Sequence, residues 1–89
     1  MKYQIKILIG TNDVNDGLFL VAPESREYYD IVTEYEKTYS HLSSTFTADE
    51  LEEALIMTEE TVMEMKRDND CYNGITLTDS HKIILVPIA

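Results

Sequence analysis

The chain has no tryptophan, two phenylalanines, two prolines, three glycines and one cysteine among its 89 residues. A lone cysteine, Cys71, excludes an intramolecular disulfide and is in keeping with a reducing compartment. Basic residues are scarce: seven lysines and arginines stand against seventeen aspartates and glutamates, for a formal net charge of −10. That balance is wrong for direct binding of DNA, RNA or anionic lipid, all of which call for basic patches. Long apolar runs are missing as well. The longest, Ile83–Ala89, falls far short of the roughly 20 residues that span a bilayer. The opening MKYQIKILIG does not read as a signal peptide, because Lys6 interrupts its apolar run and no small-residue cleavage site follows. The expectation is a soluble, cytoplasmic protein with no membrane partner.

What is present is enough to fold. A hydrophobic content of 44% argues against disorder despite the charge, and the length fits one domain over residues 1–89. Six tyrosines carry most of the aromatic surface. A chain of this size buries roughly 60–65% of the surface its unfolded form exposes.

Tyr3–Ile9 alternates imperfectly, with Tyr3, Ile5, Ile7 and Ile9 on one side, which is strand periodicity with one face buried. GTNDVNDG, residues 10–17, is dense in turn formers, and Leu18–Ala22 suits a second strand returning as a hairpin. Pro23 then fits the first turn of a helix. Tyr28, Ile31, Val32, Tyr35, Tyr39 and Leu42 follow at helical spacing, which predicts a first helix over about 24–40 with Tyr28, Tyr35 and Tyr39 in the core and Tyr29 outside it. Ser40–Thr45 reads as a linker.

The second helix, at about 48–68, is the best specified element. Thr47 and Glu50 form a capping box, flanked at staple positions by Phe46 and Leu51. Leu51, Ala54, Leu55, Thr58, Val62 and Met65 make one apolar stripe. Asp49 and Glu50 suit the positive end of the helix dipole, while Lys66 and Arg67 suit the negative end. The remainder reads as a hairpin: Ile75–Thr78, a turn over Asp79–His81, then Lys82–Ile88, with Pro87 near an edge or strand end. The predicted fold is α+β in the order ββααββ, a four-stranded, mainly antiparallel sheet with two helices packed on one face.

Chemistry-bearing signals are few. Asp13, Asn15, Asp16 and Gly17 faintly suggest a calcium loop, but the glycine arrives a residue early and position 12 of such a loop is Glu24, beyond a proline. A hairpin turn is the better reading. His41, His81 and Cys71 lie in a linker, a turn and a helix end with no motif around them. Hydrolase, P-loop and zinc signatures are absent, so no enzyme activity, metal or cofactor is expected.

The informative feature is charge. Asp49–Asp70 holds nine carboxylates and two basic residues, a net −7 of the chain's −10. At 100° per residue, Asp49, Glu53, Glu60 and Glu64 fall opposite the apolar stripe, and within each of the i,i+4 pairs Asp49/Glu53 and Glu60/Glu64 the members lie about 6 Å apart along the axis. Like charges at that spacing cost some tenths of a kcal/mol per pair, a cost that no packing requirement explains. DNA phosphates advance about 3.4 Å per nucleotide, so such a row roughly imitates alternate phosphates. Glu27, Asp30 and Glu34 add a second row on the first helix. Ile56 and Met57 lie on the otherwise charged side, with Met63 at its edge, and read as apolar anchors for a partner. The alternatives are a solvated helix face, cover by the sheet or first helix, and a homodimer using these residues or free strand edges.

In size, charge and acidic rows, the chain resembles the small acidic proteins that bacteriophages make to disable host DNA-binding proteins, among them DNA mimics that inhibit HU-type nucleoid proteins. The likeness is compositional and transfers no residue roles. It implies a non-enzymatic decoy that occupies the Lys/Arg surface of a basic DNA-binding protein, acting in the host cytoplasm. The runner-up is an acidic adaptor or immunity-type inhibitor of a nuclease or polymerase. A small metal-binding module or enzyme is the third class.

Overall fold

A computed structural model describes residues 1–9, 17–68, 71–72, 75–76 and 80–88. The strand β1, Lys2–Ile9, is its axis. Its alternating isoleucines bury Ile5 and Ile7 completely, as the period of two demands. One edge of β1 pairs along its whole length with β7, His81–Ile88, from Lys2↔Ile88 to Ile9↔His81. The other edge is shared. β2, Leu18–Val21, pairs at Lys6↔Phe19 and Ile7↔Leu18. β4, Phe46–Thr47, pairs at Lys2↔Thr47 and Tyr3↔Phe46. β3, Asp30–Thr33, lies outside β2. All these pairings are antiparallel. A bridge between Ala22 and Ser43, with N···O distances of 2.9 and 2.8 Å, ties the 40–45 segment to the end of β2. The fold is therefore mixed α and β, one domain with an antiparallel sheet of four to five strands and two helices.

The two helices are α1, Glu34–Tyr39, and α2, Leu51–Arg67, the latter entered through a 3-10 turn at Ala48–Glu50. The short strands β5, Cys71–Tyr72, and β6, Ile75–Thr76, pair with each other. Ile75–Thr76 thus joins β5, whereas the sequence suggested a hairpin with 82–88. That final segment crosses the molecule to β1, and His81 is the first residue of a strand and not part of a turn. Pro87 does sit on an edge strand, since β7 pairs only with β1 among the described residues.

Facing residues across a sheet share a side. Ile5, Ile7, Leu18, Leu20 and Ile31 accordingly share one face, where they meet Phe46 and the Ala54, Val62 and Met65 side chains of α2 in a single core. Buried Thr58, on the same helix stripe, satisfies its hydroxyl by donating to the Ala54 carbonyl at 2.7 Å. Lys6, Phe19 and Val32 point to the opposite face. There Lys37 of α1 places its ammonium 3.7 Å above the Phe19 ring and 3.4 Å from Gln4 Oε1. The helices therefore lie on opposite faces of the sheet, whereas one shared face was expected. A six-residue helix with no buried side chain cannot supply an apolar stripe to the main core, and its lysine closes the back of the sheet instead.

The expected helix over 24–40 is also corrected. Arg26 takes φ 57°, a left-handed conformation that stops helical propagation. Ile31 and Val32 are β-branched and fill strand positions beside Leu20 and Phe19. The helix begins only after Thr33, whose hydroxyl accepts from the Glu36 N–H at 3.2 Å while Glu36 Oε1 accepts from the Thr33 N–H at 3.0 Å. Gly17 precedes β2 where a Cβ would meet the Lys6 side chain, with Cγ only 2.9 Å away, so the close approach of these strands requires glycine.

Candidate functional site

α2 is fixed at its entrance. Thr47 donates its N–H to Glu50 Oε1 at 2.9 Å within the expected capping box, and the staple residues Phe46 and Leu51 pack in one cluster. Glu50 is also gripped from outside the helix. Arg26 Nε is 2.9 Å from Glu50 Oε2, and Nη2 is 3.3 Å from Oε1. The same guanidinium donates to the carbonyls of Thr45 and Pro23 and lies 4.5 Å over the Phe46 ring. These bonds, with the Arg26 contact foremost and the Thr47 N–H next, lower the Glu50 pKa from 4.5 to about 2. At the far end His81 joins β7 to α2. Its Nδ1 accepts from the Lys66 ammonium at 2.7 Å, which leaves the ring proton on Nε2, 3.2 Å from Glu59 Oε2.

Between these two fastenings the helix buries Ala54, Thr58, Val62 and Met65 and turns its other side outward. At the centre of the outward side are Ile56 and Met63, 55% and 56% exposed. They stand two turns apart, about 10 Å along the axis. At 100° per residue, Glu52 and Glu59 flank them on one side and Glu53, Glu60 and Glu64 on the other. All five carboxylate residues are exposed. Among the described residues Glu53, Glu60 and Glu64 form no salt bridge; in this region Glu50 pairs with Arg26 and Asp68 with Arg67, while Glu59 accepts a hydrogen bond from His81. An open groove lined by Glu59, Glu60, Met63, Glu64 and Arg67 runs beside the apolar pair.

The helix therefore brings Glu53, Glu60 and Glu64 together on regular turns. Asp49 is exposed but sits in the 3-10 turn, off the register of the α-helical row. Of the two expected anchors, Ile56 is exposed while Met57 is half-buried on the flank beside Thr58. Met63, read from sequence as an edge residue, takes the second position. The row of Glu27, Asp30 and Glu34 does not form. Glu27 lies in the segment before β3, Asp30 opens β3 and accepts the Ile31 N–H at 2.8 Å, and Glu34 begins α1. Three residues on three different elements share no helix face.

The tyrosines are redistributed for the same reason. Tyr35 and Tyr39, expected in the core, are 74% and 75% exposed and lean on each other with ring centroids 4.9 Å apart. Tyr28 is also exposed, and Tyr29 is the one that stacks on Phe46, at 6.3 Å. The Tyr29 phenol is pushed above its ordinary pKa, first by burial and then by the negative charge of Glu53.

His41 is exposed. The loop containing Asp13, Asn15 and Asp16 lies outside the described residues, as does the side chain of Cys71. Among the described residues no three His, Cys, Asp or Glu side chains converge as a metal site, and no helix is long and apolar enough to cross a membrane. Fold and surface together define a small mixed α/β domain with an acidic, apolar-centred helix face. No protein-family model, no curated protein and no solved structure matches the chain.

Proposed function

We propose that this chain is a non-enzymatic inhibitor that lays the outward face of α2 on the basic, nucleic-acid-binding surface of another protein and excludes DNA by competition. The observation that carries the reading is the Ile56–Met63 pair, exposed between two rows of carboxylates. A face serving solubility alone gains nothing from two large apolar side chains along its midline, whereas a docking face uses them as anchors, each contributing about 1–2 kcal/mol on burial. The carboxylates take the place of phosphates. They speed association with a cationic surface and make the complex sensitive to salt. The likeness to small acidic phage proteins supports an HU-type nucleoid protein as the partner and the host cytoplasm as the place of action.

The test is displacement of DNA from an HU-type protein, followed by gel shift at two salt concentrations. The wild-type chain releases the DNA, more effectively at low salt. The triple reversal Glu53→Lys, Glu60→Lys, Glu64→Lys and the single change Ile56→Ser each weaken release, with far-UV circular dichroism unchanged. Undiminished release by both variants would sink the mechanism. Inhibition of a nuclease or polymerase without displacement of DNA would transfer the same face to an enzyme partner.

A further inference from the structure

β7 and α2 meet through one histidine. Among the described residues, the hydrogen bonds between their side chains all run through His81, at the start of β7. Its side chain is 14% exposed, too little for water to screen its contacts fully. Nδ1 lies 2.7 Å from the Lys66 ammonium, and Nε2 lies 3.3 and 3.2 Å from the two carboxylate oxygens of Glu59. The two contacts ask different things of the ring. An ammonium only donates, so Nδ1 must offer a lone pair, and the ring that holds Lys66 is neutral. A carboxylate only accepts, so the Nε2–H serves Glu59 whether the ring is neutral or charged. Histidine is also the side chain whose charge ordinarily changes between about pH 5 and 8.

We infer that His81 is a pH-operated joint, which holds Lys66 and Glu59 when neutral and expels Lys66 when protonated. Protonation puts a hydrogen on Nδ1. Two cationic donors then face each other across 2.7 Å with no acceptor between them. Lys66 is the group that leaves, because its four-carbon stem is flexible whereas His81 is set by its ladder pairing opposite Ile9. The other groups around the joint do not restore the contact. Ile9 carries no charge, Lys82 points to the opposite face of the strand, and Glu60, Glu64 and Arg67 stand on the outward side of α2. The protonated ring forms an ion pair with Glu59, so β7 stays tied to α2 by one contact instead of two. Glu52, Glu59 and Lys66 stand seven residues apart on one row of α2, beside Ile56 and Met63. A freed Lys66 sets a mobile cation on that row, and acid thereby reduces the pull of this face on a cationic surface. That last consequence rests on the inhibitor reading; the joint itself does not.

NMR on the chain alone tests the joint with no partner present, so its failure is separable from a failure of docking. At about pH 8 the ring nitrogens show Nε2 protonated and Nδ1 bare, and at about pH 5.5 both are protonated. A cross-relaxation peak joins the Lys66 ε-methylene to the His81 ring at the higher pH. It is lost at the lower pH, where the ε-methylene becomes mobile. In His81→Asn, whose side chain does not titrate, the Lys66 ε-methylene behaves alike at both pH values. A Lys66 contact that survives protonation of the ring overturns the inference. So does a bare Nε2 at about pH 8, or release of Lys66 by acid in His81→Asn. The tautomer and the cross-relaxation peak need no variant, and they decide the case if that substitution unfolds the chain.

Discussion

Arg26 and Glu50, 24 positions apart, form a two-point contact that clamps the segment before β3 to the entrance of α2, with Nε to Oε2 at 2.9 Å and Nη2 to Oε1 at 3.3 Å. The contact explains two features that look unrelated in the sequence. It holds Arg26 in a left-handed conformation, and it makes Glu50 both a capping residue and an ion-pair partner.

Acid should release this clamp. The folded-state pKa of Glu50 is about 2, against an ordinary 4.5, so ionised Glu50 favours the folded chain. A depressed carboxylate stabilises fully above its unfolded pKa, and the gain drains away as pH falls from about 4.5 toward 2. The Glu50 side chain is about a third exposed, and solvent screening reduces the gain to about 1 kcal/mol. Urea denaturation of wild type and Glu50→Gln should show that difference at neutral pH and a progressively smaller one as pH falls from about 4.5 toward 2.

Arg26 itself separates side-chain from backbone contributions. Arg26→Ala removes the guanidinium bonds and keeps a side chain in left-handed backbone, costing about 2–3 kcal/mol. Arg26→Gly loses the same bonds but relieves the conformational strain, which is worth about 1 kcal/mol. Glycine should therefore be the milder substitution in chemical denaturation, the reverse of their order inside a helix. Equal stabilities, or a more stable alanine variant, would contradict the left-handed assignment.

The joint between β3 and α1 rests on Thr33. Thr33→Ala removes the hydroxyl that accepts from the Glu36 N–H and should cost about 1 kcal/mol. Because α1 buries no side chain, the loss should appear locally, as faster amide exchange over Glu34–Tyr39 with the α2 amides unaffected.

Two aromatic pairs should respond in opposite ways. Tyr35→Ser and Tyr39→Ser lie on the solvent side of α1 and should each change stability by about 0.5 kcal/mol or less. Phe46→Ala empties the centre of the core beneath Tyr29 and Arg26 and should cost about 3–5 kcal/mol. Thermal unfolding of the three variants checks the ranking.

What the sequence revealed, it revealed where the causes are local. α2 was legible because its cap, its staple, its apolar stripe and its terminal charges all belong to one continuous segment. The segment 24–33 was not, because its conformation depends on partners far away. Tyr28, Ile31, Val32 and Tyr35 have helical spacing, but Arg26 answers to Glu50, and Ile31 and Val32 pair with β2. One local signal does mark the boundary: Thr33 and Glu36 repeat the capping pattern of Thr47 and Glu50, and they place the helix start after the isoleucine and valine. The partner of β7 was equally out of reach, since β1 lies at the other end of the chain. Within the site, the acidic row on α2 followed from helical periodicity. The choice of Met63 over Met57 as an exposed anchor did not, because it depends on how far the helix is rotated over the sheet.

The β1 and β7 register sets Lys2, Lys6 and Lys82 on the face of the sheet opposite the carboxylates of α2, so charge of opposite sign stands on the two sides of this part of the sheet. In the field of a cationic surface such a body feels a torque as well as a pull. It turns while still approaching, so that Ile56 and Met63 lead. For the proposed docking, that orientation presents the α2 face first and shortens the search over orientations.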